Sequence, residues 1–303
     1  MTKEKEALGA IAKKRCERVL SYLPRGVRRE VFEISRTVSR FWLNLSEIRL
    51  RADRTSSLVM GGVCYPLIAL VGGEDIRDVM LRLSEGALYT CRDSIADGYI
   101  PIGGGVRVGV AGTARYDGGR IVGVGDISAL VFRFPATFCE FGEELYRAWL
   151  ATGSGNMIIA SPPMGGKTTA LASLASYIGG GRGARRVVIV DERCEFDRDM
   201  YEGREVDILS GYKRERGIEM ALRTMSPEVL IADEIATTRE ADAIMSVLGA
   251  GIRVITSVHA EGLEDLYQRP CLKGLIDARL FSSMVILHND GERYGFDLYL
   301  GGA

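Results

Sequence analysis

Residues 157–169 read MIIASPPMGGKTT, and this stretch decides the fold. Four apolar residues, Met157–Ala160, make a short buried strand, a glycine-bearing loop follows, and Lys167-Thr168 opens a helix. In a phosphate-binding loop, successive backbone N–H groups and the positive end of a helix surround a phosphate, and glycine lets the chain wrap without a steric penalty. Gly165 and Gly166 meet that need. Lys167 offers an ammonium to β and γ oxygens, and the Thr168 hydroxyl suits Mg²⁺. Ser161, Met164 and Thr169 complete the stretch expected to hold a nucleotide. The pattern G-x-x-x-x-G-K-[ST] is broken at its first position, where this chain has Ser161, and Pro162-Pro163 stiffen the approach. Lys167, lying on a loop, is expected to be exposed, so its replacement by alanine should leave the fold intact.

Working outward, Val229–Ile235 reads VLIADEI. An apolar strand does not carry two adjacent carboxylates into a core without partners. Asp233 is therefore expected to hold magnesium, and Glu234 to orient or deprotonate an attacking water. A third segment, Val254–His259, ends on one of the chain's two histidines at the carboxyl edge of a buried strand, where ligands collect in such sheets. His259 is either a reader of the γ-phosphate or a solvated strand end, whereas His288 has no such context and reads as structural. Asp191-Glu192 closes another strand at the same edge, Glu192 standing near the phosphates or forming a surface acidic cap. Arg223 either pairs with the acidic cluster or sits in a solvated helix end. Arg107, Arg115 and Arg133 are candidates for completing a neighbouring subunit's site.

Composition sets the outer limits. The chain has 303 residues, 47% apolar and 26% charged, enough for two cored domains. Lys+Arg 39 against Asp+Glu 40 leaves a formal charge of -1, so no global basic field argues for nucleic acid. Six cysteines occur without a C-x-x-C pair, which indicates reduced thiols rather than a zinc cluster or dithiol motif. The N-terminus is charged throughout and lacks the apolar region of a secretory signal. Thr55–Gly73 carries no charge and approaches spanning length, but Gly61-Gly62 divides two β-prone runs and predicts a hairpin instead.

The order of elements predicts two domains. Residues 1–138 mix amphipathic helices, broken at Pro24-Arg25-Gly26, with a strand at 46–51, the hairpin, a helix over 74–86 and glycine-punctuated strands at 106–110 and 121–124. That is a smaller α+β unit. Residues 139–303 alternate strands at 157–160, 187–191, 229–233, 253–258 and 284–288 with helices from 168, 213 and 238. Continuous apolar runs such as Val187–Val190 suit strands covered on both faces, so this half is predicted to be a doubly wound α/β domain with a parallel sheet.

With these residues in view, a family resemblance emerges. LRTMSPEVLIADEI (222–235) and VITSVHA (254–260) resemble the Walker B and His-box segments of type II and type IV secretion ATPases, and VIVDERCEF (188–196) resembles their acidic box. Within that superfamily, SEIRLRADR (46–54) and DGYIPIGGGVRVGVAGTA (97–114) are similar to the first domain of the stage III sporulation AA family. The resemblance implies a RecA-like P-loop ATPase core using ATP and Mg²⁺, a smaller N-terminal domain that contacts a neighbouring subunit, and a homo-oligomer, a hexameric ring. It also implies a cytoplasmic protein, peripheral to the membrane, whose hydrolysis of ATP serves a membrane-embedded channel between mother cell and forespore. A nucleic-acid translocase and a nucleotide-gated scaffold are the alternatives for the same core. Two features depart from the family pattern: Ser161, and Thr237-Thr238-Arg239 after the Walker B strand.

Overall fold

Side chains along β7 (Met157–Ser161) alternate between two cores, which is what a strand buried on both faces requires. Met157 and Ile159 join one apolar cluster, Ile158 and Ala160 the other. A computed structural model describes residues 3–85, 99–135, 141–163, 165–289 and 294–301, and the chain divides into two compact units, Met1–Thr137 and Phe138–Ala303.

The second unit is built on a seven-stranded sheet in the order β13-β12-β7-β11-β10-β8-β9. Its strands are β7, β8 (Val187–Asp191), β9 (Val206–Ser210), β10 (Val229–Ala232), β11 (Arg253–His259), β12 (Ser283–Asn289) and β13 (Tyr294–Leu300). All neighbours run parallel except β12 and β13. One face is covered by helices Gly142–Ala151 and Lys167–Ile178, through Leu145, Trp149, Leu171 and Leu174. The other is covered by Arg214–Thr224, Thr238–Gly249 and the short helices Leu263–Gln268 and Lys273–Asp277. The predicted doubly wound domain is therefore observed, with edge strands β9 and β13 added outside it. Parallel packing sends β7, β8, β10 and β11 out at one carboxyl edge, so Ser161, Asp191, Asp233 and His259 all emerge there.

The first unit holds an antiparallel sheet, β3-β2-β1-β6-β5-β4. Its strands are β1 (Leu45–Arg51), β2 (Ser57–Met60), β3 (Val63–Pro66), β4 (Tyr99–Pro101), β5 (Arg107–Asp117) and β6 (Arg120–Arg133). Ile48, Leu50, Leu58, Val108, Leu130 and Phe132 face helices Lys3–Leu20, Arg25–Thr37 and Gly73–Glu85. The hairpin predicted at Gly61-Gly62 is present, and no helix among the described residues is long and apolar enough to cross a membrane. The short strands expected at 106–110 and 121–124 are instead parts of a long ribbon. Its paired residues from Thr113 to Gly125 bind only one another among the described strands. Gly112 sits where the register shifts between the Ala111–Ala129 and Thr113–Gly125 pairs, and a Cβ there would lie 2.4 Å from the carbonyl oxygen of Gly125, an approach that only glycine permits.

Candidate functional site

The loop after β7 folds back on its own strand. A Cβ on Gly165 would come within 2.3 Å of Ser161 Oγ, so a serine at 161 requires a glycine at 165. Gly166 takes φ 88° as the N-cap of helix Lys167–Ile178, and no side chain caps that helix. Its first N–H groups thus keep the anion-binding character expected of a helix start. Met164 lies outside the described residues. Thr169 occupies the first turn of the helix.

Lys167 corrects an expectation. It is 7% exposed rather than free on a loop, with Nζ donating to the carbonyl oxygens of Ser161 (3.1 Å) and Pro162 (3.2 Å) and lying 2.8 Å from His259 Nδ1. The lysine is buried because β11 pairs with β7 in a register that sets His259 opposite Ser161. Burial pushes the Lys167 ammonium below the usual lysine range, and the nearby carboxylates of Asp233, Glu234 and Glu195 work against that shift. An ammonium can only donate, so Nδ1 of His259 is the acceptor and Nε2 carries the proton. That proton points at Glu234 Oε1, 3.1 Å away. The other oxygen of Glu234 lies 2.8 Å from Arg193 Nη1. Lys167, His259, Glu234 and Arg193 form one chain of alternating donors and acceptors.

Beside it, the Thr168 hydroxyl lies 2.9 Å from Asp233 Oδ2 and 3.0 Å from Glu195 Oε2. One hydroxyl proton cannot serve two carboxylates, so this cluster is short of positive charge. A small divalent cation suits that deficit, since magnesium takes one or two carboxylates and a hydroxyl and fills its remaining positions with phosphate and water. Thr168 and Asp233 are the residues that would hold it. The far side of Asp233 accepts a short hydrogen bond from Ser257 Oγ. Ser257 also accepts from the backbone N–H of Glu234 (2.9 Å), while its carbonyl accepts from Ile235 N (2.8 Å). These bonds hold Glu234 at φ 53°, a left-handed conformation uncommon for glutamate that turns its side chain back toward the edge.

Asp191 does not reach the cluster through its side chain. It is 2% exposed, and its two oxygens accept the backbone N–H groups of Glu195 (2.9 Å) and Phe196 (3.0 Å). Burial raises its carboxyl to about 6, against the lowering effect of those two bonds. The caps curl the loop so that Glu195, four residues on, arrives beside Thr168.

Glu192 and Arg223 stay outside the cluster, each on the second reading given for it, a surface acidic residue and a solvated helix end. Glu192 pairs with Arg214 Nη2 at 3.4 Å instead of approaching Thr168, because the curl set by Asp191 presents Glu195 there. Arg223 is exposed in the last turn of helix Arg214–Thr224, which runs back to the amino end of β10, so it lies at the opposite edge of the sheet from Asp233. Arg214, at the first turn, is the arginine this helix brings to the carboxyl edge. It is bound to Glu240, whose other oxygen accepts the N–H groups of Ala236 and Thr237. Thr237 and Glu240 form a capping box at the start of helix Thr238–Gly249, which accounts for the departure at Thr237-Thr238-Arg239. In the first unit, Arg107 lies over the Tyr99 ring, Arg133 stands 3.7 Å from Glu47, and Arg115 crosses Gly125.

A parallel sheet covered on both faces, with a glycine loop after β7 and an acidic pair after β10, defines a RecA-like P-loop core. Solved structures are similar to this chain in fold. These include the ATPase DotB of Legionella pneumophila (TM-score 0.62, 15% identity, 88% of this chain and 78% of that one). The pilus retraction motor PilT, solved with bound ADP, gives a TM-score of 0.62 at 15% identity, over 90% of this chain and 83% of that one. The chain belongs to the family described as sporulation stage III, protein AA, whose model matches residues 13–296. Stage III sporulation protein AA of Bacillus subtilis is 33% identical over 272 residues, covering 87% of this chain and 88% of that protein.

Proposed function

We propose that this chain hydrolyses ATP as the motor of a secretion-like channel complex in sporulation, working as a homo-oligomeric ring at the cytoplasmic face of a membrane. The observation that carries the ATPase reading is the Thr168 hydroxyl shared between Asp233 and Glu195, one residue past a lysine buried at an uncapped helix start. In this reading Ser161, Met164, Gly165, Gly166 and Thr169 form the loop around the phosphates. Lys167 leaves its carbonyl acceptors for β and γ oxygens. Thr168 and Asp233 would hold Mg²⁺, which would supply Lewis-acid charge to the transferring phosphoryl group. Glu234 takes a proton from the attacking water while a new O–P bond forms and the bond between γ-phosphorus and the bridging oxygen breaks, leaving ADP and phosphate. His259, holding both Lys167 and Glu234, keeps the base in register with the lysine, and it could read the γ-phosphate only by turning its Nε2–H away from Glu234.

The first unit would then contact a neighbouring subunit and dock the membrane partner, as the family resemblance implies, with six copies the expected ring. Closure around the nucleotide would move it against the core and so do work on that partner. The test is phosphate release by the purified full chain, with and without membranes carrying its partner complex. Release should require Mg²⁺, stop on chelation and be lost in Lys167→Ala. A wild-type chain that neither binds nor hydrolyses ATP in any arm ends the reading.

A further inference from the structure

We infer that Arg193 is a terminal-phosphate sensor that exchanges its partner, holding Glu234 until a triphosphate binds and then turning to the γ-phosphate. The inference deepens the nucleotide reading above and rests on it. Three observations on the loop 191–196 lead to it. First, the loop's backbone is pinned at both sides of the arginine, by the buried Asp191 carboxylate accepting two N–H groups and by Glu195 reaching Thr168. Glu195 touches the first turn of the P-loop helix, and Arg193, two residues away, meets Glu234, which His259 links in turn to Lys167 at the loop expected to hold the phosphates. Second, the Arg193 side chain is 52% exposed while that of Glu234 is 19% exposed. The glutamate is fixed from inside by His259 and Ser257, and the arginine is the solvent-facing member of the pair.

Third, the two oxygens of Glu234 are both occupied, one by His259 and one by Arg193. Each oxygen keeps a second lone pair, but the guanidinium covers one of them from the solvent side, and its release is the change that clears that oxygen for a water. A half-exposed ion pair is weak, and a planar guanidinium binds phosphate bidentately and more strongly. A terminal phosphate therefore wins the competition, and the same movement that adds a cation beside the triphosphate releases the base. ADP, lacking that phosphate, leaves Arg193 on Glu234.

The experiment measures the affinity of the full chain for ADP and for a non-hydrolysable ATP analogue, with Mg²⁺, in wild type, Arg193→Ala, Arg193→Lys, Glu234→Gln and the Arg193→Ala/Glu234→Gln double variant. Arg193→Ala should weaken analogue binding roughly tenfold, the size of one charge-assisted contact, and ADP binding less than twofold. Arg193→Lys should recover part of the loss. Glu234→Gln should tighten analogue binding only while Arg193 is present. Equal losses for both nucleotides would mark a structural loop residue and overturn the inference, as would no loss, or a Glu234→Gln effect undiminished in the double variant. Failure of the wild type to bind either nucleotide would instead remove the underlying reading, and the sensor with it.

Discussion

Two charged clusters stand at the same edge of the second unit's sheet, and they are built to opposite ends. Around Arg214, a guanidinium meets Glu240 and Glu192, and Glu240 in turn accepts two backbone N–H groups and caps a helix. Arg214 and Glu240 are each 6% exposed. Burial raises the Glu240 carboxyl, but the Ala236 N–H, Arg214 and Thr237 outweigh it and hold the group below the usual glutamate range. Around Lys167, two carboxylates share one hydroxyl proton and a half-exposed arginine guards the acid. A cluster whose buried carboxylate is matched on both oxygens serves architecture, even with Arg214 Nε left without a partner, while one left short of charge is suited to receive a ligand.

The sharpest way to break this contrast is to remove Arg214. With its partner Glu240 left buried and uncompensated, Arg214→Ala should cost about 3–5 kcal/mol of stability, read by urea unfolding. A loss as small as that of a surface substitution would mean the first cluster is not structural. In the second cluster, Glu234→Gln should lower ATP turnover about 100- to 1,000-fold with unfolding unchanged. Comparable loss of fold in that variant would erase the distinction between the two. Gly165→Ala, which drives a methyl group into Ser161 Oγ, should cost roughly 1–3 kcal/mol and loosen nucleotide binding. Ser161→Gly in the same chain should restore both.

The smallest effect sharpens the comparison through pH. The folded carboxyl of Asp191, about 6, lies above its ordinary value of 3.8, so its protonated form favours the fold. That contribution is complete below pH 3.8 and is lost as pH rises through about 6. Asp191→Asn should remove the acid's share of this decline, on the order of 1–3 kcal/mol between pH 4 and pH 7, in thermal melts of the two proteins compared at each pH. An unchanged pH dependence would argue that the loop tolerates the ionised form without cost.

The sequence disclosed the site's principal residues because each follows a strand readable as a continuous apolar run. Ser161, Asp233 and His259 are adjacent in space for that reason alone. What it concealed depended on loops. Glu195 lies within the acidic segment, yet nothing in its spacing says that Asp191 turns inward and curls the chain, so Glu192 looked the better candidate. Arg193 lies in the acidic segment and Ser257 in the His259 segment, yet no role is legible for either there, and their placement depends on the register of β10 against β11 and the left-handed turn at Glu234. The burial of Lys167 was hidden because residue 259, in sequence far away, supplies its covering side. The long β5–β6 ribbon was missed since its glycines look like interruptions when pairing across the strands is not known.

The position of β7 has a consequence for how the molecule is made. Both of its neighbours in the sheet, β11 and β12, are encoded late, and 92 residues separate Lys167 from His259. During synthesis this fully enclosed strand must wait, with both of its backbone edges open, until the ribosome has delivered nearly all of the second unit. The interval exposes an apolar segment to misassociation, and nucleotide cannot assist folding before those late strands arrive.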